Sequence, residues 1–382
     1  MIKTIDECFF QIQNGANIKQ GDIEGGYPIT RIETTANDKF NRDRMGYAGI
    51  TDLLKYESYV LEDGDLLMSH INSVQYLGRT VLYCKQPNET IIHGMNLLRL
   101  KARRDVIDPA YARYCFFGHP FRSQVGNITK KSVNQASFAV KDLKQIKIDI
   151  PSIDEQRKVV AVLDKIQKII DRRNEELNAL DDLIKARFVE LFDGKYPEDT
   201  LLNLCNIVDY RGKTPEKVEH GLPFITAKNV KMHHMTLEPR EYISKETYDK
   251  VMVRGFPKEG DVVFTTEAPL GNVCRIPHFD TEFYIGQRIV TMQTDALNPT
   301  YLEYALSDEE FVRKYMGKSS GSTVTGIRVR LLEQLTIPVP PRTLQDEFAT
   351  FVNQVDKSKV AVQKALDETQ MLFDSLMQEY FG

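Results

Sequence analysis

Basic and amide side chains recur at comparable places in the two halves of this sequence, before and after the strands predicted below. In the first half they are Lys39, Arg42, Arg44, His70, Asn72, Arg79, Lys130 and Lys131, and in the second half they are Lys228, Asn229, Arg275, Arg328 and Arg330. Arg, Lys and Asn are side chains that read base edges or grip phosphates in nucleic acids. Any single one is more simply an ordinary surface residue, but as matching sets they predict two similar nucleic-acid-reading faces. The halves differ most over 30–60 and 225–255, where we expect the specificity to differ.

A second motif invites comparison with catalytic chemistry. Asp-Pro-Ala-Tyr at 108–111 and Asn-Pro-Thr-Tyr at 298–301 are close to the Asp/Asn-Pro-Pro-Tyr/Phe of amino-directed methyltransferases, in which the polar residue binds the target amine. The third position differs in both copies, and no Gly-rich loop follows a strand to hold a cofactor. Asp or Asn as helix N-cap, with Pro at the first helical position, explains both copies. We therefore predict two helix starts here and no catalytic residue.

The sequence does not predict a metal site. His233 and His234 are adjacent, but no Cys, Asp or Glu lies at ligand spacing, and a zinc site needs three or four converging ligands. The cysteines are odd in number and contain no Cys-x-x-Cys pair, which indicates reduced structural thiols in a cytoplasmic protein. They are Cys8, Cys84, Cys115, Cys205 and Cys274.

A long helix is predicted over residues 154–191, on the order of 55 Å at ~1.5 Å per residue. Ser152 and Glu155 form a capping box at its start, and Asp193-Gly194 supplies a stop. Apolar residues recur at alternating steps of three and four, the heptad pattern of a helix packed along a second helix. They are Val159, Leu163, Ile166, Ile170, Leu177, Leu180, Ile184 and Leu191.

The same helix recurs over 341–382, where Thr343 is the predicted cap. Its apolar seam is Phe348, Val352, Val355, Val362, Leu366, Phe373, Leu376 and Tyr380. Gln156 matches Gln345 at an offset of 189 (345 − 156), and Leu177 matches Leu366 at the same offset (366 − 177). The repeat extends into the globular parts, for example from 63–67 to 259–263. The chain is therefore two copies of one unit, and we expect the two helices to pair antiparallel.

The predicted fold class is α/β of the α+β kind, with two similar globular domains joined by the two long helices. The predicted domains are a first globular domain at 1–150, a central helix at 151–195, a second globular domain at 196–340 and a C-terminal helix at 341–382. Strands are expected at 65–69, 79–83, 91–100, 145–150, 262–266 and 289–293.

Composition sets limits on the function. No apolar run approaches the ~20 residues that a membrane span needs. The formal net charge of −4 is not the strongly basic balance of a free-standing DNA-binding module. A nucleic-acid function therefore requires that positive charge is local or is supplied by partners.

Both junctions between globular part and helix resemble those of the specificity subunit of type I restriction–modification systems. Ile-Lys-Ile-Asp-Ile-Pro-Ser-Ile-Asp-Glu-Gln-Arg at 146–157 is similar to the junction in which a strand ending in Pro precedes Glu-Gln and a long helix. Residues 335–345 are its second copy, with Leu344 where Glu is usual. The resemblance, carried by 146–192 and 335–382, covers essentially the whole chain.

This resemblance implies a subunit without catalytic residues, in which two target-recognition domains each read half of a bipartite DNA site. It also implies that the helix pair is the spacer between the readers and the docking surface for two methyltransferase subunits. S-adenosylmethionine is then expected on the methyltransferase subunits, and ATP and Mg²⁺ on restriction subunits. The isolated chain should bind DNA weakly, because partners supply much of the phosphate neutralisation.

Two other classes of function remain open from the sequence. One is a coiled-coil adaptor scaffold that binds two protein partners and no DNA, which basic loops pointing away from a common face would favour. The other is an enzyme such as a methyltransferase with a degenerate motif, which binding of S-adenosylmethionine by the purified chain would support.

Overall fold

A computed structural model describes residues 1–21, 23, 25–133, 135–210, 215–319 and 326–382 of the chain. Internal contacts divide the chain into two compact units. Unit 1 comprises Met1–Arg173 and Ala365–Gly382, and unit 2 comprises Asn174–Lys364. Each unit therefore contains part of both long helices.

Unit 1 alternates short strands and helices before the first long helix. In chain order its elements are β1 (Ile2–Thr4), α1 (Ile5–Cys8), β2 (Phe9–Asn14), β3 (Leu66–Ser69), β4 (Ile71–Asn72), β5 (Thr80–Leu82), β6 (Leu97–Ala102), α2 (Pro109–Phe117), α3 (His119–Ile128), β7 (Lys130–Lys131), β8 (Ala136–Ser137), α4 (Val140–Leu143), β9 (Lys147–Asp149) and the first part of α5 (Ile153–Phe192). Short 3-10 turns lie at Ile32–Asp38, Arg42–Arg44, Glu57–Tyr59 and Val74–Tyr76.

The main sheet of unit 1 is antiparallel in the order β2-β6-β3-β5, and a smaller sheet has the order β4-β8-β7. Strand β1 pairs separately with β9. Leu66 and Met68 of β3 pack toward α2 and α3, whereas Leu67 between them packs into a second apolar cluster. Both faces of the sheet are therefore covered, which is why β3 is a continuous apolar run in the sequence.

Unit 2 repeats this plan. Its elements are β10 (Glu198–Thr200), α6 (Leu201–Leu204), β11 (Asn206–Asp209), β12 (Leu222–Ile225), β13 (Val230–Lys231), β14 (His234–Met235), β15 (Tyr242–Ile243), α7 (Lys245–Val251), β16 (Val262–Thr265), β17 (Val273–Arg275), β18 (Tyr284–Ile285), β19 (Ile289–Gln293), α8 (Pro299–Ser307), α9 (Glu309–Lys318), α10 (Val329–Leu332), β20 (Thr336–Pro338) and the first part of α11 (Arg342–Phe381). The main sheet has the order β11-β19-β16-β17, and β10 pairs with β20. The sheet order of unit 1 thus recurs strand for strand.

The units differ in the segments inserted between strands of the main sheet, chiefly between the first two strands along the chain. Unit 1 uses 3-10 turns and single bridges there, such as Ile29 with Gly46 and with Ile92. Unit 2 places β12 between antiparallel β15 and parallel β18, next to the β13-β14 hairpin and α7. These insertions contain the stretches 30–60 and 225–255, in which the two copies differ most in sequence.

The long helices α5 and α11 each have 40 residues. The Ser152–Glu155 capping box is confirmed, since Glu155 Oε2 accepts the Ser152 backbone N–H at 3.0 Å and its hydroxyl at 2.7 Å. The predicted cap at Thr343 is wrong, because α11 begins one residue earlier, at Arg342. There the first turn closes onto the Pro341 carbonyl, which accepts the Leu344 N–H at 3.0 Å.

The two helices pair within each unit. In unit 1, the Arg173 guanidinium of α5 donates to Thr369 Oγ1 of α11 at 2.6 Å and to the Ala365 carbonyl. In unit 2, Arg187 lies 2.9 Å from Glu347, and Asp181 contacts Lys359. In these pairs the residue numbers increase along α5 while those of their partners decrease along α11. The paired segments therefore run antiparallel.

The predicted seam residues lie on the inner side of these helices, buried or half-buried: Leu163, Ile166, Ile170, Leu177, Leu180, Ile184, Val355, Val362, Leu366 and Phe373. In the described part of the chain, no helix has the length and apolar character needed to cross a lipid bilayer.

The strands predicted at 65–69, 79–83 and 289–293 are present as β3, β5 and β19. The strand predicted over 91–100 is wrong in its first half. Asn96 has a left-handed φ of 75°, which breaks the extended chain, and β6 begins only at Leu97.

Candidate nucleic-acid interface

The two Pro-containing motifs are helix starts, as predicted. Asp108 Oδ1 accepts the backbone N–H groups of Ala110 and Tyr111 at 2.9 and 3.2 Å. Asn298 Oδ1 accepts the N–H of Thr300 at 2.9 Å. The polar residue that would bind an amine in a methyltransferase caps a helix here, because it supplies an acceptor for unpaired donors of the first turn.

A buried glutamine lies behind each of these caps. Gln156 Oε1 accepts the Asp108 N–H at 2.9 Å, and its amide donates to the Pro151 carbonyl at 3.0 Å. Gln345 repeats both bonds, accepting from the Asn298 N–H and donating to the Pro340 carbonyl, each at 2.8 Å. This glutamine clasp fixes the globular part of each unit to the start of a long helix. In the sequence, the only indication of this clasp was that the two glutamines are separated by the repeat offset of 189 residues.

The small sheet of unit 1 brings three of the predicted DNA-binding residues together. Asn72 and Lys131 both lie opposite Ala136, on either side of the central strand β8. Lys130 is the neighbour of Lys131 on β7, and both lysines are exposed. Side chains directly opposite each other share a face of a sheet, so Asn72 and Lys131 project together. We call β4, β7, β8 and the loop 73–79 the basic edge of unit 1.

Arg79 lies at the end of this edge. Its guanidinium carbon is 4.8 Å from the ring centroid of Tyr76, and it forms an ion pair with Asp38 at 3.3 Å. The Asp38 carbonyl accepts a further hydrogen bond from Arg113 at 3.3 Å. An aromatic ring next to clustered guanidinium groups can stack on a base while the cations contact phosphates.

The three cations predicted at 39–44 have different surroundings. Lys39 forms a 2.9 Å ion pair with Asp171 of α5, and Arg44 is exposed. The Arg42 guanidinium donates hydrogen bonds to both carboxylate oxygens of Glu89, at 2.7 and 2.9 Å. This pair, chiefly through the Arg42 hydrogen bonds, lowers the pKa of Glu89 to about 2. In this conformation Arg42 stabilises the insertion of unit 1.

His70 lies inside unit 1, beside the ring of Phe138. Its Nδ1 has no hydrogen-bond partner among the described residues. Burial lowers the pKa of the imidazole to about 4, so the ring is neutral at pH 7. A buried neutral ring cannot neutralise a phosphate from this position.

In unit 2, Lys228, Arg328 and Arg330 are exposed. Asn229 is only 1% exposed, and its amide is used within its own loop, accepting from the Thr226 N–H at 2.9 Å and donating to the Thr236 carbonyl at 3.0 Å. In this conformation it offers no free amide atom to a base.

Arg275 of unit 2 is also committed to the fold. Its Nε lies 2.6 Å from Glu303 Oε2, and Glu303 is 1% exposed. The second oxygen of Glu303 lies 3.0 Å from Nδ1 of His233, whose ring stacks on Tyr304. His233 thus shares a hydrogen-bonded network with Glu303 and Arg275. The described residues contain no group of three or more His, Cys, Asp or Glu side chains that could hold a metal ion.

Comparison with known proteins identifies the repeated domain. The sequence model of the family described as type I restriction modification DNA specificity domain matches residues 3–181 and 200–369. The putative type I restriction enzyme MjaX specificity subunit of Methanocaldococcus jannaschii is 27% identical over 396 residues, covering 95% of this chain and 90% of that protein. The type I restriction enzyme MjaVIII specificity subunit of the same organism is 22% identical over 311 residues, covering 72% and 71%.

The fold is also similar to that of a solved structure, the S subunit of the type I restriction–modification system from M. genitalium. The TM-score is 0.57 at 14% identity, over 100% of this chain and 96% of that chain. At this identity the likeness concerns the fold alone.

Proposed function

The chain belongs to the type I restriction modification DNA specificity family, and on this premise we propose that each of its two units reads one half of a bipartite DNA site. Membership in this family makes the chain a DNA-recognition subunit rather than an enzyme. It also favours DNA recognition over the adaptor scaffold that the sequence left open.

The observation that carries the proposal is the repeat itself. Both units have the same order of strands in the main sheet, and both fix their globular part to a long helix by a buried glutamine. Two copies of one reader, with different insertions, suit two half-sites of different sequence. Each unit also has exposed cations shortly before its long helix. Lys130 and Lys131 lie on β7 in unit 1, and Arg328 and Arg330 lie at the start of α10 in unit 2.

The partners we propose are double-stranded DNA and methyltransferase subunits. Since the net charge of the chain is −4, the methyltransferase subunits would neutralise many of the DNA phosphates while the two units contact base edges. S-adenosylmethionine would then be bound by the methyltransferase subunits, and ATP and Mg²⁺ by restriction subunits. Because the target is DNA, we place the complex in the cytoplasm.

Two methyltransferase copies are proposed from a feature of the long helices. Leu183 on α5 and Leu372 on α11 are 48% and 52% exposed, outside the seam. They are separated by the repeat offset of 189 (372 − 183). An exposed leucine at the same position of both helices suits two copies of one partner docking in equivalent ways.

The test is co-expression with the products of the neighbouring genes, followed by sequencing of host DNA for methylated bases. A bipartite methylated motif that disappears when this chain is deleted is the expected result. Unchanged methylation, with the chain expressed and folded, would contradict the proposed function.

A further inference from the structure

Two residues outside the predicted DNA-binding set share an unusual backbone conformation at the same place in the two units. Asn96 in unit 1 and Arg288 in unit 2 both have φ of 75°. Each immediately precedes an inner strand of the main sheet, β6 or β19. In this left-handed region a side chain crowds its own backbone, so glycine is the residue best suited to it.

Both turns are held from one side by the neighbouring chain. In unit 1 the Gly94 N–H donates to Thr30 Oγ1 at 2.9 Å, and a Cβ at Gly94 would collide with the Thr30 carbonyl. In unit 2 the Gly286 N–H donates to the Ile225 carbonyl at 2.8 Å, and a Cβ at Gly286 would lie 2.6 Å from the ring of Phe224. The strand that follows fixes the other end, so residues 94–96 and 286–288 each form a turn held at both ends. We call each of these turns a platform.

In unit 2 the platform lies beside the predicted cations. The Arg288 carbonyl accepts the Thr266 N–H at 2.8 Å, and the Thr266 carbonyl accepts the Ile327 N–H at 2.9 Å, next to Arg328. The Arg288 side chain is 57% exposed, and its contact is an ion pair with Glu267 at 3.1 Å. Such an exposed pair contributes little stability, and a stronger ligand can displace it.

In unit 1 the platform lines an open cavity of about 460 Å³. The polar residues that share this lining with Asn96 are Lys19, Gln20, Arg31 and the acidic Glu33. Nε of Arg31 is buried without a hydrogen-bond partner in the described part of the chain. A buried donor without a partner is costly, and a polar ligand in the cavity would satisfy it.

Arg288 therefore needs a reason that the turn itself does not supply, whereas Asn tolerates this conformation and Asn96 is singled out by its place in the cavity. Glycine would form either turn with less strain, and strained residues cluster where a side chain has a function. We propose that Asn96 and Arg288 are base-reading residues, one for each half-site. An Asn amide pairs with the N6 and N7 edge of adenine, and an Arg guanidinium pairs with the O6 and N7 edge of guanine. Asn96 then reads an A·T pair and Arg288 a G·C pair. This inference rests on the proposed function.

The test uses Asn96→Gly and Arg288→Gly in the full chain, assembled with its methyltransferase subunits. Both variants should fold as well as the wild type, because glycine relieves the left-handed backbone. Host DNA is sequenced for methylated motifs. Asn96→Gly should relax one A·T position in one half-site, and Arg288→Gly one G·C position in the other half-site. Methylation of the original site should fall about tenfold or more in each case.

Two further variants separate base reading from other roles. Arg288→Lys keeps the charge but loses the two-pronged geometry, so it should also lose the G·C preference. A motif preserved in Arg288→Lys but lost in Arg288→Gly would mean a phosphate contact and overturn the inference. Asn88→Gly is the control. Asn88 is also exposed and has a left-handed backbone, with φ of 60°, and its replacement should leave the motif unchanged.

The outcomes also separate this inference from the proposed function. If the wild-type complex yields no bipartite motif, the proposed function fails. If the wild type yields the motif and both glycine variants keep it, the inference alone fails. A fall in melting temperature of the glycine variants would show that these side chains serve the fold, which also overturns the inference.

Discussion

Leu183 and Leu372 occupy the same position of the two long helices, 189 residues apart, and about half of each side chain is exposed. If both dock a methyltransferase subunit, Leu183→Ser and Leu372→Ser should each weaken subunit binding about tenfold, because an apolar contact at the interface is lost. Titration of the subunit onto the purified chain measures this effect.

Leu54→Ser is the matched control, since Leu54 is exposed on the insertion of unit 1. It should leave subunit binding unchanged, and all three variants should keep the wild-type melting temperature. Equal binding by all of them would place the docking surface elsewhere.

The seam of the helix pair predicts a stability effect. Leu366→Asp would bury an unpaired carboxylate on the inner side of α11 and should reduce the free energy of unfolding by about 3 kcal/mol or more. Leu177→Asp should cost less, because Leu177 is only half-buried. Urea unfolding measures both.

Val360→Asp introduces the same charge on the exposed side of α11 and should change the free energy of unfolding by less than about 0.5 kcal/mol. If Leu366→Asp proved as mild as Val360→Asp, the seam assignment would be wrong.

The basic edge predicts a salt dependence. Replacing Lys130 and Lys131 by Gln should weaken binding of the assembled complex to DNA of every sequence. If both lysines contact phosphates, the slope of log affinity against log salt should become less steep by about 2. Lys55 is an exposed lysine outside the basic edge, and Lys55→Gln should not alter the slope. A change of sequence preference without a change of slope would show base contacts instead.

The Arg42–Glu89 pair predicts a pH dependence. The pKa of Glu89 is lowered from its ordinary value of 4.5 to about 2. Because the folded-state pKa is the lower one, the pair stabilises the fold above about pH 4.5, and this stabilisation is lost as the pH falls toward 2.

Glu89→Gln should therefore unfold more easily than the wild type at about pH 7, and the difference should narrow between about pH 5 and 3. Urea unfolding across this range measures it, with the exposed Glu57→Gln as control. A difference that stays constant with pH would indicate lost packing rather than lost charge.

Local rules predicted the helices well. Ser152 and Glu155 place the start of α5, Gly194 follows its end, and Asp108 caps α2, because these signals depend on a few neighbouring residues. The repeat of Gln156 at Gln345 was also visible, although its role as a clasp required the contact with the N–H of Asp108.

Burial of the polar residues could not be predicted in this way. His70, Asn229 and Arg275 were predicted to contact DNA, yet each is enclosed or engaged by the fold. The alternation of polar and apolar residues along a strand predicts the face on which a side chain lies. It does not predict whether a segment distant in the sequence covers that face. The buried Glu303 that holds Arg275 comes from α8, far along the chain. Backbone conformation was equally hidden, since nothing in the residue type of Arg288 indicates a left-handed turn.

The division of the long helices between the units has a consequence for synthesis. Unit 2 is one continuous stretch of chain, whereas unit 1 needs residues 365–382, among them Phe381, whose ring lies 5.1 Å from that of Tyr111. During translation unit 2 can therefore fold before unit 1 has all of its residues. Until residues 365–382 are made, the apolar side chains of α2 that they cover, Tyr111 and Tyr114, stay open to solvent or to chaperones.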